Sequence, residues 1–193
     1  ARAGGADFRA EERVVAFPVG GRLRPPRAVR VPVQPAAEFL GAGLRARAGG
    51  RGVQVAAVRI ERGGICGSDL HYYHDGGFGT VRIKEPMVLG HEVSGIVSAV
   101  GAAVQHLKVG QRIAISPSRP CGQCQYCQKG QHNHCLDMRF YGSAMRFPHI
   151  QGAFRESLVI EASQAHALKD SLSLSLAALA ANRPPSDIGS GLR

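Results

Sequence analysis

Apolar and polar positions alternate most clearly in the middle of the chain. Runs at residues 53–60, 93–100, 112–115 and 157–160 are short, rich in β-branched residues and separated by Gly and Pro. This pattern predicts several short strands with long loops between them, hence a mainly β, barrel-like core with minor helix. The texture changes near the C-terminus. Residues 171–181 are Leu, Ala and Ser, a helix candidate that Asn182-Arg183-Pro184-Pro185 ends abruptly. Before Val53 the periodicity is poor. The apolar pieces 14–19 and 29–33 are strand candidates, although the second contains Pro32. The chain thus divides into an atypical Ala/Arg/Gly/Pro-rich segment (1–52), a β unit (53–168) and a truncated helix with an irregular tail (169–193). No internal repeat is visible.

Composition refines this picture. The 193 residues suffice for one domain with a sizeable core, and 25 Gly with 11 Pro favour a turn-rich β fold over a helical bundle. No apolar run is long enough to cross a bilayer. The first residues show no charged segment followed by an apolar stretch and a small-residue cleavage site, so a cytoplasmic location is expected. The first residue is not Met, which suggests a fragment or a processed chain. The formal charge of +10 raises the question of nucleic acid or membrane surface. Before Gly52 the excess consists of ten Arg and no Lys against four acids, without a compact basic run or interleaved aromatics. Neither nucleic acid nor membrane is therefore an expected partner.

The candidate chemistry lies between Cys66 and Cys135. Four of the five cysteines, Cys121, Cys124, Cys127 and Cys135, fall within fifteen residues. Thiolates two residues apart on a tight loop can face one cation, and four of them make a closed tetrahedral shell suited to a structural zinc. Two disulfides or an iron–sulfur cluster are the alternatives. His132 and His134 could substitute as ligands, but Cys135 already offers the fourth sulfur. The fifth cysteine has different company. Cys66 lies in Gly64-Ile65-Cys66-Gly67-Ser68-Asp69-Leu70-His71-Tyr72-Tyr73, and Gly90-His91-Glu92 follows about twenty residues later. A Cys, a His and a carboxylate from separate loops make an open site, with a fourth position for water or substrate.

These blocks resemble the medium-chain zinc-dependent alcohol/polyol dehydrogenases. The resemblance is carried by Gly64–Tyr73, by residues 86–92 and by Met138-Arg139-Phe140-Tyr141-Gly142-Ser143-Ala144-Met145 followed by Phe147-Pro148-His149. It points to the branch that contains sorbitol and L-idonate 5-dehydrogenases and covers about two-thirds of the chain. It implies a GroES-like barrel for this unit and a Rossmann domain after it. It also implies roles: Cys66, His91 and Glu92 as catalytic zinc ligands, and Cys121, Cys124, Cys127 and Cys135 as structural ones. Asp69 would support His91, and Ser68 and His71 would relay the substrate's hydroxyl proton. Tyr72 and Phe154 would line the substrate pocket. The implied activity is oxidation of a secondary alcohol of a polyol or sugar acid, with NAD or NADP as hydride acceptor. Arg139 or Arg146 is a candidate clamp for a substrate carboxylate.

The chain also departs from the family pattern. Near residues 176–180 the family carries a Glu-Pro-Leu motif, whereas here Leu176-Ala177-Ala178-Leu179-Ala180 runs into Ala181-Asn182-Arg183. No Rossmann fingerprint follows. Gly41-Ala42-Gly43-Leu44-Arg45-Ala46 matches the glycine spacing loosely but has no βαβ context. Frameshifts before about residue 52 and after about Ala180 would explain both unusual ends. Without a cofactor domain the 193 residues are expected to be inactive alone, and a non-catalytic zinc-binding module is the alternative reading.

Overall fold

The computed structural model describes residues 54–181 fully and the backbone of two further strands. Those two are β1 (Glu11–Phe17) and β2 (Arg27–Pro32). Next come β3 (Val55–Gly64), α1 (Gly67–Asp75), β4 (Gly77–Phe78), β5 (Val81–Arg82), β6 (Met87–Val88), β7 (Glu92–Val100), β8 (Arg112–Ile115) and β9 (Ser118–Arg119). Then follow α2 (Gln125–Gln128), β10 (Arg139–Phe140), β11 (Ser157–Glu161), β12 (Ala165–Ala167) and α3 (Leu174–Ala180). The mainly β expectation is met, and the run at 112–115 coincides with β8.

The main sheet has the order β11-β3-β7-β8-β12, with every neighbouring pair antiparallel. Its two edge strands, β11 and β12, are joined only by the 3-10 turn Ala162–Gln164. A flat sheet of five strands would separate its edges by about 19 Å. The connecting chain reaches at most about 14 Å when fully extended. The sheet must therefore curl until its edges approach, which is how the barrel arises. Ala162 N–H donating to Gln54 O extends the β11–β3 ladder into that turn, and Ser116 N–H donating to Gln164 O extends the β8–β12 ladder.

Alternation places Val58, Val93, Val97, Ile113, Ile115, Leu158 and Ile160 inside the curl. The outer face is covered as well. There Ala114 of β8 packs against Ala177 and Ala181 at the end of α3. Small side chains on both surfaces let the helix lie close to the strands. The Ser94 hydroxyl of β7 donates to Leu174 O at 2.7 Å, and the Ser173 hydroxyl accepts from Leu176 N–H at 3.2 Å, capping the helix. The helix expected at 171–181 is thus present, shortened at both ends.

Two features depart from the expected pattern. The stretch Gly67–Asp75, which carries no clear apolar stripe, is helical. The strand candidates 14–19 and 29–33 overlap β1 and β2, as expected; what the pattern did not foretell is that β1 also pairs with β6 (Ala16↔Val88, Phe17↔Met87) in a three-stranded sheet. Pro32 sits opposite Glu11 at the last position of the edge strand β2, the kind of place where proline is tolerated in a sheet. The glycine pattern at 41–46 and the tail at 182–193 lie outside the described residues. Among the described residues no helix is long and apolar enough to cross a membrane.

Candidate metal centres

The end of β3 and the start of β7 are antiparallel partners, with Gly64 opposite Glu92. Just past β3, Cys66 takes an extended conformation (φ −85°, ψ 159°) and opens α1. Just before β7, the chain turns at Gly90 and presents His91, with Glu92 as the first strand residue. One strand end therefore delivers the cysteine beside the other strand's histidine and glutamate. Cys66 Sγ, a His91 ring nitrogen and a Glu92 carboxylate oxygen all lie within 4.8 Å of one another.

Asp69 organises this corner. It is buried, and its Oδ2 accepts from Cys66 N–H at 3.0 Å while its Oδ1 accepts from Gly90 N–H at 3.0 Å. One carboxylate thus ties together the two segments that carry the ligands. His91 is 3% exposed. Its Nδ1 is buried without a hydrogen bond and faces Asp69 Oδ1 at 3.6 Å. A carboxylate facing one ring nitrogen is the arrangement that supports a metal on the other. The donor set of thiolate, imidazole and carboxylate suits zinc with one position left open.

Two glycines make room. A Cβ on Gly64 would lie 2.6 Å from Glu92 Oε2 and 2.9 Å from Leu179 of α3, so the end of α3 borders the site. A Cβ on Gly90 would lie 2.3 Å from the Phe154 ring, and Gly90 has φ +94°. Gly90 adjoins His91 and Gly64 lies two residues before Cys66 in sequence, yet only the fold shows why they are needed. Phe154 packs over Gly90 and Gly63 and against the small cluster of Tyr72, Met87, Leu89 and Ala144. Tyr72 is buried in that cluster, and its hydroxyl accepts from Ala144 N–H at 3.0 Å. Ser68 is half-buried in the first turn of α1. His71 is exposed one turn on, its Nδ1 3.3 Å from Asp75 Oδ2.

The sulfurs of Cys121, Cys124, Cys127 and Cys135 form the second group, also within 4.8 Å of one another. All five cysteines are free thiols, so the disulfide alternative does not hold. Cys121 and Cys127 Sγ stand 4.0 Å apart. That is near the edge of about 3.8 Å expected for a tetrahedron built on Zn–S bonds of about 2.3 Å. Backbone N–H groups point at the sulfurs. Cys121 Sγ accepts from Gln123 and Cys124, and Cys135 Sγ from Cys121 (3.1 Å) and Asp137 (3.4 Å). The N–H groups of Cys127 and Leu136 hold the Cys124 thiol down at about 6. The Cys121 N–H likewise lowers Cys135, whereas burial pushes Cys127 up to about 12. His132 and His134 lie in an exposed 3-10 turn outside this sulfur group.

Between the two groups runs a segment whose position the pattern of the chain does not reveal. The Phe140 ring lies 5.2 Å from the His91 ring, centroid to centroid, tilted by 55°. Tyr141 donates its hydroxyl to the buried Gln164 at 3.1 Å, and burial raises the Tyr141 pKa. The carboxylate-clamp expectation fares differently. Arg146 is engaged with Asp137 at 2.5 Å. Arg139 precedes Phe140 in β10, so strand alternation directs it away from the face that meets His91.

Comparison with known proteins agrees with this architecture. The sequence profile described as "Alcohol dehydrogenase GroES-like domain" matches residues 52–170, more than half of the chain. L-idonate 5-dehydrogenase (NAD(P)(+)) of Escherichia coli (strain K12) is 55% identical over 107 residues, covering 55% of this chain and 31% of that protein. Sorbitol dehydrogenase of Bacillus subtilis (strain 168) is 39% identical over 122 residues, covering 63% and 33%. The crystal structure of L-idonate 5-dehydrogenase from Escherichia coli K-12 superposes with a TM-score of 0.59 at 48% identity, covering 64% of this chain and 35% of that one. The chain spans about a third of the length of the curated relatives it matches. By its profile, its β architecture and its relatives, the chain belongs to the alcohol dehydrogenase GroES-like domain family.

Proposed function

We propose that this chain is the zinc-binding catalytic unit of an NAD(P)-dependent dehydrogenase that oxidises a secondary alcohol of a polyol or sugar acid, of the L-idonate 5-dehydrogenase kind. The observation that carries this reading is the meeting of Cys66, His91 and Glu92 at one point, with Asp69 binding the backbone of both segments that supply them. Zinc held there would supply a Lewis acid for the alcohol oxygen. The chain's own residues do the rest. Asp69 fixes the ligand-bearing turns. Ser68, two residues past Cys66, receives the hydroxyl proton. His71, exposed on the same helix and steadied by Asp75, hands it to water. Phe154 and Tyr72 shape the apolar wall beneath Gly90. The four-sulfur lobe holds a second, structural zinc.

The described residues contain no parallel sheet with a glycine-rich turn, the usual seat of a nicotinamide dinucleotide. The isolated 193 residues are accordingly proposed to bind zinc but to form negligible NADH from L-idonate. Elemental analysis tests the reading: two zinc ions per chain for the wild type and one for Cys66→Ala. Unchanged zinc content in Cys66→Ala would remove the open site from the proposal, and a clear rate of NADH formation would remove the claim of inactivity.

A further inference from the structure

We propose that Phe140 is a positioning residue for His91, and that through it the four-sulfur lobe sets the geometry of the open site. The inference rests on the reading that both cysteine groups hold metal. Its first support is what His91 lacks. Its Nδ1 makes no hydrogen bond, and Asp69 Oδ1 at 3.6 Å is too distant to fix the ring by itself. The ring is instead in contact with Phe140, at 5.2 Å between centroids. An aromatic plate on a buried imidazole restricts rotation about its last torsion, and so holds the other nitrogen towards Cys66 and Glu92.

The second support is how Phe140 is itself held. Strands β9 and β10 pair over two residues each, Arg139 opposite Arg119 and Phe140 opposite Ser118. A ladder this short does not hold its own register, and two arginines face each other across it. It depends on what is attached at its ends. On the barrel side, Tyr141 N–H donates to Pro117 O at 3.2 Å and the Tyr141 hydroxyl binds Gln164. There Gly142, at φ +67°, lies so close to Gly90 that a Cβ would stand 3.0 Å from the Gly90 backbone N and O. On the other side the ladder opens directly into the lobe, whose base is closed by Cys121 N–H on Cys135 Sγ at 3.1 Å. A cation drawing Cys121 and Cys135 to one point clamps both strands where they leave the lobe. Released, the strands can part and Phe140 can leave His91. The two sites are then coupled in free energy, and the coupling is reciprocal.

Titration of the metal-free full chain with Co2+, followed by absorption, separates the sites. Four thiolates give a far stronger sulfur-to-cobalt charge-transfer band than one. The wild type is expected to bind two ions. Phe140→Ala is expected to weaken the open site about tenfold or more, in the range typical when outer support of a metal ligand is lost, with the strong band unchanged. Phe140→Tyr, which keeps the ring, restores the affinity, and Arg139→Ala behaves as wild type. Loss of the lobe site by Cys124→Ser weakens the open site by a similar factor. Wild-type affinity at the open site in Phe140→Ala or in Cys124→Ser overturns the coupling. So does equal weakening of both bands in Phe140→Ala that Phe140→Tyr fails to restore, since that reports general unfolding. A single ion bound by the wild type instead overturns the two-site reading beneath it.

Discussion

The sulfur lobe and the open corner at Cys66 use overlapping donor chemistry but are held by different parts of the molecule. In the lobe, four donors lie within fifteen consecutive residues, and the N–H groups that point at them belong to the same loop. Folding of that loop alone brings the sulfurs together. At the open corner the donors come from two strand ends that are neighbours only because β3 and β7 pair with Gly64 opposite Glu92. The first site is written in local sequence and the second in the barrel. A local site closes on itself and excludes ligands. A site assembled from strand ends leaves a direction from which substrate can arrive.

The largest expected effect tests the lobe. Cys127→Ser removes a buried sulfur from the closed set. Structural zinc contributes on the order of 10–16 kcal/mol of apparent binding energy in small peptides. Loss of one ligand should therefore abolish zinc at this site and lower the melting temperature by more than 10 °C, on the order of 3 kcal/mol or more for a chain of this size. A melting curve equal to that of the wild type would show that the barrel does not depend on the lobe.

A smaller effect tests the barrel corner. Asp69→Asn keeps the shape but points an amide donor at one of two buried N–H groups, Cys66 N or Gly90 N. A buried donor left unsatisfied costs about 1–3 kcal/mol. Elemental analysis should show zinc lost from the open site and retained in the lobe, with a melting temperature lowered by a few degrees. Equal loss from both sites would mean that the corner is not an independent unit.

The smallest effect isolates one ligand. Gly64→Ala places a methyl group 2.6 Å from Glu92 Oε2, and the carboxylate must swing away. Cys66 and His91 remain, so Co2+ should still bind the open site, about tenfold more weakly and with an altered visible spectrum. Identical spectra would remove Glu92 from the ligand set.

Much of this was legible beforehand, and for a consistent reason. The four-cysteine spacing is a local signal, so its convergence followed from loop geometry alone. Strands β7 and β8 announce themselves by β-branched alternation because one face of each must be buried. The helix Gly67–Asp75 was not legible. It begins with Gly, has no apolar stripe, and is fixed at its first turn by Asp69 accepting from Cys66 N–H. The contact of Phe140 with His91 gives no sequence signal either, because 48 intervening positions separate the two residues. The engagement of Arg146 with Asp137 likewise came from a fold in the chain that the local pattern does not announce.

The sequence by itself determined which atoms can bind a cation and which segments prefer to extend, because donor chemistry and local periodicity are properties of residues and their near neighbours. The tertiary structure alone decided that Cys66 meets His91 and Glu92, that two glycines must stay bare beside them, and that an aromatic ring from the strand leaving the lobe steadies the imidazole. Those facts depend on strand register and on the curling of the sheet. Register is set by the burial of a whole face at once, a collective property that no single stretch of the chain contains.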